Sequence, residues 1–367
     1  MKKIELTPLA DSLPHAVPFV GPEALERKTG TVFKARIGAN ESTFGPSPMA
    51  RVAMERAAAE TWKYCDPENH DLKEALALHL DVPRNNVVVG EGIDGLQGYL
   101  VRLVVGVGDA VVTSLGAYPT FNFHVKGYGG ALHTVPYKGD YEDIDALIAK
   151  AHEVKAKLLY FANPDNPMGT WRHAKEVAAM VDRLPEGCLL LLDEAYADLA
   201  PRGVIPDIPV NTHNVIRMRT FSKAYGLAGA RVGYAFGPSH LIQAFDKVRN
   251  HFGMTRISQA GALAALADMP YFKQVQTMVA DSRDHIARIA ADNGLTTVPS
   301  ATNFVAMDCG RDGDYARGVL AELIKLGIFV RMPAVAPLDR CIRVSCGGEV
   351  EMKAFAAALP VALKNAD

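Results

Sequence analysis

Between residues 87 and 236 short apolar runs alternate with segments of helical period, and few architectures accommodate that rhythm. The runs at 87–89, 110–113, 158–161, 189–192, 215–218 and 232–236 are β-branched or leucine-rich, so each reads as a strand buried on both faces. Between them Leu96, Leu100, Leu103 and Val104 fall at i, i+4, i+7 and i+8, and Ile144, Leu147 and Ile148 at i, i+3 and i+4, the spacing of one apolar helix face. Strands and helices in this alternation form an α/β layer sandwich around a mostly parallel sheet.

After about Arg256 the texture changes to long helical stretches, then short strands at 303–307, 328–331 and 341–345, with helices starting near Asp314 and Glu349. A chain of 367 residues is too long for one comfortable core and suits two. The expected division is a large domain over 46–255, with a smaller α+β domain built from 256–367 and the proline-rich arm 1–45, which crosses to it or to a partner subunit.

Composition narrows the partners. Hydrophobic residues at 49% and charged residues at 22% give ample apolar area for burial and exclude a disordered chain. The 39 basic and 41 acidic residues leave a formal charge of −2, which excludes a global pull on nucleic acid or anionic lipid. No apolar run approaches the roughly 20 residues that cross a bilayer, and Glu5, Asp11, His15 and the prolines interrupt any export signal at the amino end. Five cysteines without CxxC or metal-finger spacing read as reduced, buried thiols in a cytoplasm, with no metal site. The expected ligand is a small molecule.

Gly90, Gly92 and Gly95 satisfy GxGxxG between a strand and a helix. A dinucleotide fold also needs an acid at the carboxyl end of the next strand, and Asp109 precedes that strand instead. What remains is a turn that exposes backbone N–H groups at a helix start, suited to a phosphate or simply a tight strand-to-helix connection.

Three polar clusters follow strand-like runs, where open α/β sheets place their ligands: NPDNPMG (163–169), DEAY (193–196) and TFSKAYGLAGARVGY (220–234). Singly they read as a turn, a helix-start acid and a solvated lysine. Together they supply a lysine for a Schiff base, an acid for a pyridinium nitrogen and ligands for a phosphate, the parts that pyridoxal phosphate demands of a protein. Asp193 suits the protonated ring nitrogen, because a nearby anion favours the charged form. Asn166 and Tyr196 suit the phenolic oxygen, and Thr220, Ser222 and Arg231 bracket Lys223 as phosphate ligands.

With IGANESTFGPSP (37–48), KYCDPENHDLKEAL (63–76), GEGIDG (90–95), PSATNF (299–304) and CIRVSCG (341–347) in the same order, the chain resembles the fold-type I, class I/II aminotransferases over nearly its whole length, and most closely the histidinol-phosphate aminotransferase subgroup. The resemblance implies the pyridoxal 5'-phosphate transferase fold, a Lys223 Schiff base, Asp193 on the ring nitrogen, and Asn166 and Tyr196 on the phenolic oxygen. It further implies that the amides of Ile93 and Asp94, with Thr220, Ser222 and Arg231, hold the phosphate, and that Phe121 stacks on the ring. Tyr64 matches a tyrosine that reaches the neighbouring subunit's cofactor, implying a homodimer with shared sites. Arg343 matches the arginine for the substrate carboxylate, with Arg331 beside it for a substrate phosphate.

The expected reaction moves an amino group between an amino acid or histidinol phosphate and a 2-oxo acid. Met168, Ser42, Thr43, Phe19 and Val20 depart from the subgroup's pattern at positions expected to shape the pocket, which favours a broader amino-acid donor. The alternatives are a decarboxylase resembling threonine-phosphate decarboxylase, which shares most of these motifs, and a noncatalytic cofactor-binding protein.

Overall fold

A computed structural model describes residues 4–15 and 20–366. Its centre is a seven-stranded sheet in the order Val87–Gly90, Gly233–Phe236, Val215–Thr220, Leu189–Asp193, Leu158–Ala162, Ala110–Ser114, Ala131–Val135. Only Gly233–Phe236 runs antiparallel to its neighbours. The apolar runs become strands because helices cover both faces, so that Leu158, Leu159, Leu190, Leu191 and Leu192 are all fully buried.

The sequence pattern does not reveal the edge strand Ala131–Val135, which is only partly buried and carries His133 and Thr134. One face of the sheet packs Leu96, Leu100 and Val101 of the helix Gly92–Val104. The other packs Leu147, Ile148 and Ala151 of Ile144–Val154.

A second sheet pairs Phe304–Asp308 with Cys341–Ser345 and, on its other side, Thr296–Thr297, under the helices Met269–Asp292, Gly313–Lys325 and Glu349–Asn365. Ala35–Arg36 of the arm pairs in parallel with Ile328–Phe329. The helix Arg256–Ala267 lies against Pro48–Ala58, so closely that a Cβ on Gly261 would stand 2.6 Å from Met54 Cγ. Asp268 caps the helix that follows, Met269–Asp292, which packs on the second sheet.

Met168, expected to shape the pocket, is fully buried in an apolar seam with Val298, Ala306, Leu338 and Cys341, between the 163–169 turn and the second sheet. All five cysteines are buried and free.

Candidate active site

The parallel strands deliver their polar ends to one edge. Asp193 is the last residue of Leu189–Asp193, the 163–169 turn follows Leu158–Ala162, and Thr220 ends the strand that leads into Lys223. The lysine turn is braced locally: the Ser222 N–H donates to Thr220 Oγ1 at 3.0 Å and the Thr220 hydroxyl donates to Ser222 Oγ at 2.9 Å.

Lys223 Nζ donates to the backbone carbonyl of Asn40 at 2.9 Å and lies 5.5 Å from the centre of the Tyr196 ring. Asn40, in the left-handed region at φ 55°, also donates its side-chain amide to the Tyr196 oxygen at 3.1 Å, and Asn303 donates to the Asn40 carbonyl at 3.0 Å. Asn166 donates to the same Tyr196 oxygen at 3.3 Å and accepts from the Arg343 guanidinium. One continuous chain of hydrogen bonds and packing therefore joins lysine, tyrosine, asparagine and arginine. Burial, with Arg343 adding repulsion, pushes the Lys223 amine down to about 8.

Asp193 is 5% exposed, and its oxygens accept from the Tyr160 hydroxyl, the Gln97 amide and the Ala195 N–H. Burial raises its carboxyl to about 6, and these donors oppose the rise. Glu194 turns the opposite way and pairs with Arg217 at 2.7 Å and Arg219 at 2.9 Å, bracing the strand ends beneath the site.

Around the start of the Gly92–Val104 helix, Arg231 reaches Ser222 Oγ at 3.4 Å and Asp94 Oδ2 at 3.7 Å. A Cβ on Gly92, at φ +77°, would stand 2.4 Å from the Arg231 guanidinium, and one on Gly233 would stand 2.7 Å from the Ile93 nitrogen. The missing side chains leave a cradle of helix-start N–H groups, two hydroxyls and a guanidinium, which fits a phosphate. Arg231 itself sits at φ +52°. With a lysine poised near neutrality and a buried carboxylate carrying only neutral donors, the residues present fit pyridoxal phosphate.

Not every expected residue joins this cluster. Phe121 is fully buried and stacks on Tyr160 at 4.5 Å and 21°, behind Asp193, so it offers no face to a ligand. Tyr118, three residues earlier and half-buried, donates to Asp94 Oδ1 at 3.3 Å and is the aromatic at the site. Burial, with Asp94 adding to it, pushes the Tyr118 phenol up to about 12. Tyr64 stands apart, 80% exposed, with its ring 5.0 Å from Phe252. Arg331 is paired through its backbone with Arg343 and donates to the Val20 carbonyl at 3.1 Å. Phe19 lies outside the described residues. Sequence reasoning misses Asn40, Gln97 and Tyr160; Asn40 lies within the family segment IGANES, the one signal that points to it.

A mostly parallel α/β sheet whose strand ends gather this lysine, acid and phosphate cradle defines a fold-type I pyridoxal phosphate enzyme. The family model for aminotransferase class I and II matches residues 34–359, and the chain belongs to that family. It is a pyridoxal-phosphate-dependent aminotransferase.

A solved histidinol-phosphate aminotransferase from Sinorhizobium meliloti, in complex with pyridoxal-5'-phosphate, is 57% identical with a TM-score of 0.96, covering 99% of this chain and 98% of that one. A histidinol-phosphate aminotransferase of Anaeromyxobacter sp. (strain Fw109-5) is 34% identical over 96% of this chain and 97% of its own length. An aromatic amino acid aminotransferase of Mycolicibacterium paratuberculosis (strain ATCC BAA-968 / K-10) is also 34% identical, over 85% of this chain and 91% of its own.

Proposed function

We propose that the amino donor is histidinol phosphate and the acceptor a 2-oxo acid. The observation that carries this reading is the backbone pairing of Arg331 with Arg343, which sets two guanidinium-bearing residues side by side at the arginine end of that chain. Two such groups suit a phosphate dianion better than a single α-carboxylate. Arg343 has a buried Nε without a hydrogen-bond partner, which a substrate oxygen would satisfy. The similarity to histidinol-phosphate enzymes supports the same donor over the broader amino-acid reading, and the decarboxylase and noncatalytic alternatives have no comparable support.

Bound pyridoxal phosphate supplies an electrophilic carbonyl and a ring that accepts the electron pair released at the donor's Cα. In this reading Ile93, Asp94, Thr220, Ser222 and Arg231 grip the phosphate, Asn166 and Tyr196 hold the phenolic oxygen, and Asp193 meets the ring nitrogen. Tyr118 takes the stacking role expected of Phe121. Lys223 Nζ would hold the cofactor at rest and, with its amine free, would take the proton from the donor's Cα and return it to the cofactor carbon that receives the amino group, which closes the first half of the exchange.

The reading places the large cofactor domain from 46 to about 268, followed by the small domain that also takes the arm. The exposed aromatics Trp62, Tyr64 and Phe252 support a homodimer with shared sites, which a holoenzyme sedimenting as an active monomer would contradict. The free, buried cysteines support a cytoplasmic location. Among the described residues no helix is long and apolar enough to cross a membrane, and no group of His, Cys, Asp or Glu is placed to hold a metal.

The substrate test compares kcat/KM for histidinol phosphate, histidine, phenylalanine and tyrosine. A preference for histidinol phosphate of about 100-fold or more is expected, because each charge-assisted hydrogen bond to its phosphate is worth roughly 1.5–3 kcal/mol and the other donors carry no phosphate. Equal or better use of phenylalanine or tyrosine would replace this donor with an aromatic amino acid.

A second measurement follows the attachment rate of pyridoxal phosphate to the cofactor-free protein by absorbance. The neutral amine is the nucleophile and Lys223 loses its proton near pH 8, so the rate should rise through about pH 8 and level above it. A rate that is flat from pH 7 to 9 would contradict the role of Lys223.

A further inference from the structure

Asp193 Oδ2 accepts from the Tyr160 hydroxyl at 2.8 Å and from Gln97 Nε2 at 2.9 Å, while Oδ1 accepts from the Ala195 N–H at 2.9 Å. Gln97 and Tyr160 are 0% and 1% exposed, so they act on Asp193 from behind. Each is fixed in that position, Gln97 at a cost. Tyr160 is clamped face to face by Phe121, and Gln97 keeps a buried Oε1 with no hydrogen-bond partner, a penalty that a leucine of similar size would avoid.

We propose that Gln97 and Tyr160 are positioning residues that hold Asp193 as an oriented anion for the cofactor's ring nitrogen. The proposal rests on the placement of Asp193 against that nitrogen given above. Burial and the nearby Asp94 carboxylate favour its protonated form, while the phenols of Tyr118 and Tyr196, both raised, stay neutral where this carboxyl titrates. Donors aimed at its oxygens favour the anion. The proton shared by the acid and the ring then resides on the ring nitrogen, where it makes the ring a stronger electron acceptor. Without the donors it moves to Asp193 and the ring becomes neutral.

The test uses Tyr160→Phe, which removes one hydroxyl and keeps the stack on Phe121, and Gln97→Leu, which removes the amide. Dissociation constants are measured for pyridoxal phosphate and for its 1-deaza analogue, in which carbon replaces the ring nitrogen. Each substitution should weaken pyridoxal phosphate by about 10-fold, the scale of one hydrogen bond to a charged group, and leave the analogue unchanged.

Equal weakening of both ligands means a packing role and overturns the proposal, as does unchanged binding of pyridoxal phosphate. Asp193→Ala in the same assay separates the two layers. If it fails to discriminate between the ligands, the ring-nitrogen placement itself falls. If it discriminates while Tyr160→Phe and Gln97→Leu do not, only the positioning proposal falls.

Discussion

Lys223→Ala is expected to retain pyridoxal phosphate and to lose amino transfer by at least about 10⁴-fold, because one amine serves as both covalent anchor and proton carrier. Binding should survive because the cradle of Gly92, Ser222 and Arg231 is untouched by the substitution. In the parent protein, borohydride reduction followed by peptide mapping should place the pyridoxyl group on Lys223. Label on another lysine, or turnover by the alanine variant within about tenfold of the parent, would refute the role.

Asp193→Asn should have the next largest effect, a loss of transfer of about 10²–10⁴-fold, corresponding to roughly 3–5 kcal/mol for breaking a buried charge pair with the ring nitrogen. Its effect on the fold has the opposite sign. The Asp193 carboxyl is raised by burial from 3.8 to about 6, so the cofactor-free fold binds an extra proton between those values and loses stability as pH rises through that window. Asparagine removes that dependence. The cofactor-free variant should therefore match or exceed the parent in denaturant midpoint at pH 8 while failing in catalysis. A midpoint well below the parent's would show that the carboxylate supports the fold rather than the chemistry.

The central strands are legible in the sequence because each lies under two helices, and two-sided burial leaves an unbroken apolar run such as 189–192. The edge strand Ala131–Val135 is not, since one flank lacks a neighbour and the run is mixed with polar residues. The lysine turn stands out because consecutive residues build it, and the glycine-rich helix start and Arg231 stand out because each lies in a short motif of its own.

Phe121 and Tyr118 show the limit. They are two aromatics three residues apart at the start of one helix, Pro119–Gly127, and only the packing of that helix decides which ring turns toward the site and which toward Tyr160. Tyr160 is hidden inside an apolar run, and its hydroxyl acquires a purpose only when the neighbouring strand brings Asp193 beside it. The packing of Arg256–Ala267 on Pro48–Ala58 likewise depends on the close approach of Gly261 to Met54, between segments some two hundred residues apart.

Arg231 occupies a left-handed backbone conformation that costs a side-chain-bearing residue about 1–2 kcal/mol, a cost glycine would not incur. Glycine there would lose more chain entropy on folding, about 0.5–1 kcal/mol, so the two effects nearly cancel. What glycine would remove is the side chain, with its hydrogen bonds to the Ala228 carbonyl and Ser222 Oγ and its approach to Asp94, so the backbone is nearly indifferent to the residue here and the guanidinium's contacts decide it.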